Sequence, residues 1–237
     1  MPVSCLAAML RLGTKYEIDY LRKAALEILH YEFPTTLEDW AISTESMRID
    51  YGFSDDPIGK VLNLATELSL ETVLPTAYLL IVKSSSLVCI LFTTKLPIAQ
   101  ILMCVVQKSL LDQKSASALE YSVRVNCVLG RDKIISWLNE RHISCISTVS
   151  EAAYNPACSR SFPKCSPERI KLVNQFRLWD NDHPYMIAPW DDTQTRQVCQ
   201  SCRIALKKTH DGIRTDAWAK LPSFFGLPDW PDLKDRD

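Results

Sequence analysis

Apolar residues recur at three- and four-residue intervals along most of this chain, a spacing that predicts amphipathic helices rather than strands. The clearest stripe is Tyr20, Leu21, Ala24, Ala25, Ile28 and Leu29, with Glu17, Arg22, Lys23 and Glu27 on the opposite face. Leu6, Met9, Leu10 and Leu12 make an earlier helix, and Gly13 with Thr14 is expected to separate the two. Thr36 followed three residues later by Asp39 is a short-acid form of the capping box. It predicts a third helix with Trp40, Ile42 and Met47 facing inward. Asp55 or Asp56 before Pro57 gives a fourth start, because an aspartate caps a helix well and proline fits its first position. Ile58, Val61, Leu62, Ala65 and Leu68 are its expected buried face.

Pro75 opens a short helix, after which the pattern changes. Residues 82–107 are charge-poor and strand-like, and three readings stay open: a β hairpin, a buried helix, or translated intron sequence. The last follows from codons, since valine codons begin with GT and Gln100 or Gln107 can be encoded by CAG. Helical periodicity returns from Leu110, with Val128, Ile135 and Leu138 on one face. Residues 144–163 read as a loop. Ser166, Pro167 and Glu168 then start a helix carrying Ile170, Val173, Phe176 and Trp179, and residues 180–195 read as a second loop. The last helix starts near Thr195 or Gln197 and places Cys202, Ala205, Leu206, Ile213, Ala217 and Leu221 on one stripe. Pro222 is expected to stop it, and Phe224, Phe225, Leu227 and Trp230 are too apolar not to dock back. The fold class is therefore mainly α, an irregular helical bundle with a short β hairpin as one reading near residues 82–107. Three regions follow: 1–81, the atypical segment 82–107, and 108–237.

Composition narrows the class of function. The 27 basic residues balance the 28 acidic ones, so no long-range field draws the chain to nucleic acid or acidic lipid. The apolar stretch 73–106 is cut by Lys83 and Lys95 and by Pro75 and Pro97 into pieces shorter than the ~20 residues a bilayer requires, and no membrane partner is expected. The first residues lack the basic start and cleavage site of a secretory signal, and nine cysteines is an odd number. Both features point to an intracellular protein with reduced thiols, in nucleus or cytoplasm.

Four of those cysteines have the spacing of a metal set. Cys158 and Cys165 share one loop, and Cys199 and Cys202 form a Cys-x-x-Cys at the start of the final helix. Zinc takes four thiolate or imidazole ligands in a tetrahedron, and Cys-x-x-Cys brings two sulfurs to one ion from a single turn. A buried Cys202 with three incidental thiols is the competing reading. A redox pair is the third, although no strand precedes Cys199 as it does in thioredoxin-type motifs. His210, eight residues past Cys202, is read as a surface or capping side chain. No enzyme is expected: the chain has only six glycines, no Gly-rich phosphate loop and no nucleophile elbow. Its four histidines, His30, His142, His183 and His210, belong to no nucleophile or metal motif, and cap or loop roles account for the pairs Asp55–Asp56 and Asp191–Asp192. Arg203, Lys207, Lys208 and Arg214 on the last helix are a weak nucleic-acid signal, offset by Asp211 and Asp216.

Two segments carry a family resemblance. LRLGTKYEIDYLRKAALEIL resembles the closing helical pair of a BTB/POZ domain. CQSCRIALKKTHDGIRTDAWAKLPSFFGLPDWPDL is similar to the terminus of a group of mushroom BTB-domain proteins, with their Cys-x-x-Cys, His and Arg helix, and Trp-x-x-Leu-Pro-x-Phe-Phe-x-Leu-Pro-x-Trp. Together they cover most of residues 1–80 and 115–235. The strands and helices that precede the pair in a BTB domain are absent here, so a complete BTB fold is not expected. The resemblance implies a non-catalytic protein-interaction module and, for a longer relative, dimerisation and engagement of a cullin-type ubiquitin ligase. A zinc-dependent transcriptional or nucleic-acid regulator, or a fragment of a longer BTB protein, is the alternative.

Overall fold

The structure is a computed structural model and describes residues 1–43, 57–84, 119–152, 165, 167, 187, 189–190, 192–195 and 197–235. The fold is mainly α. Seven α-helices lie among the described residues: α1 (Val3–Lys15), α2 (Asp19–Glu32), α3 (Leu37–Ser43), α4 (Pro57–Glu67), α5 (Leu74–Ser84), α6 (Tyr121–Ala152) and α7 (Gln200–Phe224). None of them is long and apolar enough to cross a membrane. The chain divides into two compact units, Met1–Arg131 with Leu221–Asp237, and Asp132–Lys220. Residues 85–107, Met47, the Asp55 or Asp56 cap, and Ile170, Val173, Phe176 and Trp179 lie outside the described residues.

In the first unit α1 buries Val3, Leu6, Leu10 and Gly13, an i, i+3, i+7, i+10 stripe. Gly13 does not divide the helices, contrary to the sequence expectation. It lies inside α1 because α2 crosses there: a β-carbon on Gly13 would stand 2.9 Å from both the Cβ and the backbone nitrogen of Arg22. The helix ends later, where Glu17 takes φ 53° and the Ile18 N–H reaches back to the Gly13 carbonyl at 2.8 Å. That six-to-one bond over a left-handed residue is a Schellman end. Gly13→Ala should lower stability by about 1–2 kcal/mol despite alanine's better helix propensity, because the α2 backbone has to move. A denaturant midpoint equal to or above the parent's would contradict this close approach.

On α2 only part of the expected stripe is inside. Ala25 and Leu29 are fully buried, whereas Tyr20 is 72% exposed and Leu12 on α1 is 45% exposed. The Thr36 cap forms as expected: the Asp39 N–H donates to Thr36 Oγ1 at 3.1 Å, and the Thr36 hydroxyl donates to the Asp39 carboxylate at 2.6 Å. Trp40 is buried behind it, but Ile42 is 59% exposed. Helix α4 starts at Pro57 and buries Val61, Leu62, Leu64 and Ala65. It ends in a second Schellman turn, with Ser69 at φ 53° and the Leu70 N–H on the Ala65 carbonyl at 2.8 Å. Helix α5 continues through Val82, Lys83 and Ser84, residues that the sequence pattern grouped with the strand-like segment.

The C-terminal tail docks on this unit. Leu233 is buried, and Asp235 pairs with Leu70 in an isolated antiparallel bridge. The Asp235 carboxylate accepts the Thr72 N–H at 3.0 Å and the Thr72 hydroxyl at 2.8 Å, and lies 3.0 Å from His30 Nε2. Burial alone raises this carboxyl, but the hydrogen bonds from His30 and Thr72 outweigh it and hold the group below its ordinary 3.8. A depressed carboxylate contributes stability that is full above the unfolded value and lost as pH falls through the lower folded value. Asp235→Asn should therefore cost about 1–2 kcal/mol at neutral pH and flatten the acid limb of the stability profile. An unchanged limb in urea melts at stepped pH would count against the latch.

Helix α6 carries its buried side chains at Val123, Cys127, Ile134 and Leu138, with Gly130 between them. The expected positions Val128 and Ile135 are only half-buried, so the true stripe is rotated by one residue at each. The helix also runs to Ala152, past the loop expected from residue 144, because no glycine or proline interrupts it there.

Candidate metal centre

Cys199 immediately precedes α7, and its carbonyl accepts the Arg203 N–H at 2.9 Å, the first bond of the helix. It is thus the N-cap residue, and Cys202 is three residues into the helix. Side chains at those two positions face one another across the first turn, the relation that a capping box uses. Cys-x-x-Cys therefore sets two sulfurs side by side at the start of α7.

The third sulfur comes from a distant turn. The Cys199 N–H donates to Cys165 Sγ at 3.3 Å, so a sulfur takes a donor that a capping glutamate reaches in other helices. The Sγ atoms of Cys165, Cys199 and Cys202 all lie within 4.8 Å of one another. Exposures of 3%, 6% and 0% make the group buried throughout. Val198 and Leu206 pack around it, with Trp190 against its edge. Three sulfurs at Zn–S bonds of 2.3 Å in a tetrahedron stand about 3.8 Å apart, so the group is within about 1 Å of a zinc-binding spacing. The first turn of α7 carries no acidic residue, and its partial positive charge faces the sulfurs. A buried group of three thiols placed this way can hold a metal ion.

The sequence-based set thus converges at three of its four positions. Cys158 lies outside the described residues. His210 departs from expectation: it is 7% exposed, neither a surface nor a capping residue. It sits two i+4 steps beyond Cys202 on the same stripe, about 12 Å along the axis, and is not one of the three clustered ligands. Its imidazole meets the Trp190 ring edge-on at 5.4 Å, and Nδ1 is 3.6 Å from Asp211 Oδ1. Burial raises the Asp211 carboxyl, while the Lys207 and His210 contacts bring it below its usual value.

Trp190 therefore spans from the thiol group to His210, a role that sequence reasoning missed. Its indole Nε1 donates to Asp192 at 2.9 Å, and Arg214 Nε fastens the same stretch by donating to the Ile187 carbonyl at 2.9 Å. The one available signal was arithmetic: 202, 206 and 210 fall on one helical line. The basic run on α7 is also partly engaged within the protein, with Lys207 paired to Asp211 at 2.7 Å. Arg141 on α6 pairs with Asp216 at 2.7 Å, a surface contact worth at most about 1 kcal/mol.

No family profile, curated protein or solved structure matches this chain.

Proposed function

We propose that this chain is a non-catalytic protein-interaction module of the BTB/POZ type, whose Asp132–Lys220 unit is closed by a zinc ion on Cys165, Cys199 and Cys202. The observation that carries the zinc part of the reading is the convergence of three buried sulfurs within 4.8 Å at the start of α7. Burial favours a structural ion over a catalytic one, since catalysis needs a ligand position open to substrate. Cys158 completes the four-cysteine set read from the sequence, and the zinc content of Cys158→Ser tests whether it adds a ligand to the three.

The interaction role rests on the α1–α2 hairpin, the element for which the BTB/POZ resemblance speaks. Leu12, Tyr16 and Tyr20 around its connecting turn are 45%, 59% and 72% exposed. Exposed tyrosines of this kind supply binding energy at protein interfaces. The resemblance ties a cullin-type ubiquitin ligase to a longer relative, so for this chain that partner is a family analogy to be tested. Nucleic acid is not part of the proposal, because Lys207 and Arg214 are occupied by Asp211 and the Ile187 carbonyl.

Two measurements test the reading. Cobalt substituted into the purified chain should give thiolate-to-metal charge-transfer absorption and the visible bands of tetrahedral cobalt, whereas an octahedral, sulfur-free spectrum would remove the metal part. Affinity capture of the full chain from its own cells separates the partner readings, and enrichment of a cullin would support an adaptor role. Enrichment of a chromatin complex instead would favour a zinc-dependent regulator.

A further inference from the structure

The same three sulfurs have a second chemistry open to them. Cys199 and Cys202 are i and i+3 at a helix start, where Cα atoms stand on the order of 5 Å apart, inside the range that a disulfide spans. Their sulfurs are within 4.8 Å and both residues are thiols. A bond of about 2.05 Å therefore needs side-chain rotation and little backbone movement. Cys165 is differently placed, because its sulfur is held from the side by the Cys199 N–H.

We infer that Cys199 and Cys202 form a hydroperoxide-responsive pair, in which oxidation closes a disulfide and releases the metal. The Cys199 thiolate, favoured at the N-cap by the partial positive charge of the first turn, attacks a peroxide oxygen. The O–O bond breaks, sulfur becomes a sulfenic acid, and hydroxide leaves. The Cys202 thiolate then attacks that sulfur, the S–S bond forms, and a second hydroxide departs. Two electrons pass from the thiolates to the peroxide. The two negative charges lost from the sulfurs leave as hydroxide, and the ion, left with too few ligands, dissociates as Zn2+. A dithiol reductant reverses the step by exchange. Only the metal-release arm rests on the zinc reading, because disulfide closure needs the sulfur geometry alone.

The test treats the intact, zinc-loaded chain with increments of hydrogen peroxide. Zinc release is followed with a chromogenic chelator, and disulfides are mapped by peptide mass spectrometry. The expected result is one zinc released for each Cys199–Cys202 disulfide formed, with full recovery of thiols and zinc binding after dithiothreitol. In Cys202→Ser the sulfenic acid should persist on Cys199 and be captured by dimedone, while Cys165→Ser should still form the disulfide. Retention of intact thiols under excess peroxide would overturn the inference, as would a disulfide that contains Cys165. A chain that binds no zinc yet closes the Cys199–Cys202 bond would remove the metal reading and leave the pair standing.

Discussion

Replacing Cys202 with serine is expected to remove zinc from the chain and with it much of the stability of the Asp132–Lys220 unit. A hydroxyl is a poor zinc ligand at neutral pH, and the remaining pair would hold the ion too weakly to survive purification. An ion held at a thousandfold over its dissociation constant contributes about 4 kcal/mol of folding stability, which is the scale of the expected loss. Chelator supplies the control. It should destabilise the parent chain by a similar amount and leave Cys202→Ser unchanged, because the variant has no ion left to lose. Cys5→Ser, at an exposed position on α1, should alter neither zinc content nor stability. Equal chelator responses in parent and Cys202→Ser would contradict the assignment. Without the chelator arm, any cost of placing a hydroxyl at the fully buried Cys202 would be mistaken for loss of metal.

The other large effect belongs to Phe225, in the other unit. Its ring stacks on Tyr78 with centroids 4.8 Å apart and planes 14° apart, and Asn126 Nδ2 donates to the Tyr78 hydroxyl at 3.3 Å. Against α6 the ring occupies space that only glycine leaves, since a β-carbon at Gly130 would overlap it. Phe225→Ala opens a cavity between α5, α6 and the end of α7 and should cost about 3–5 kcal/mol, a large part of the 5–15 kcal/mol typical of a whole domain. Gly130→Ala attacks the same contact from the other side. It should destabilise on its own, and it should cost much less when Phe225 is already alanine, because the overlap has gone. Additive losses in that double-mutant cycle would show that the two positions do not meet.

The tail that delivers Phe225 also shows why boundaries were harder to read than faces. Proline was expected to end the last helix at 222, yet α7 continues to Phe224. The stop comes at Gly226, whose φ of 73° lets the Leu227 N–H bond the Pro222 carbonyl at 3.1 Å and the Gly226 N–H bond the Ser223 carbonyl at 3.2 Å. The proline carbonyl is therefore an acceptor in the helix end. Glu17 and Ser69 serve the same turn without glycine, which is why neither end carried a sequence signal.

The faces were legible where large aliphatic side chains recur, as at Leu6 and Leu10, Val61 and Leu62, and Ala217 and Leu221. They were misread where small or polar residues complete a stripe. Gly13 and Gly130 permit close approach, a property that periodicity takes for a break or a gap. Cys127 and His210 are buried on lines that an apolar count skips. For the metal centre, Cys-x-x-Cys was enough to place two sulfurs, because spacing within one helical turn is fixed by the helix itself. The approach of Cys165 was legible only as a candidate, since the 34-residue separation from Cys199 has no local rule to constrain it.

The zinc content of the intact chain, purified under reducing conditions without added metal, decides whether the three buried sulfurs are a metal centre. One zinc per chain is expected, with Cys165, Cys199 and Cys202 protected from alkylation until chelator is added. A chain without stoichiometric zinc, whose three thiols alkylate at the same rate with and without chelator, would contradict that expectation.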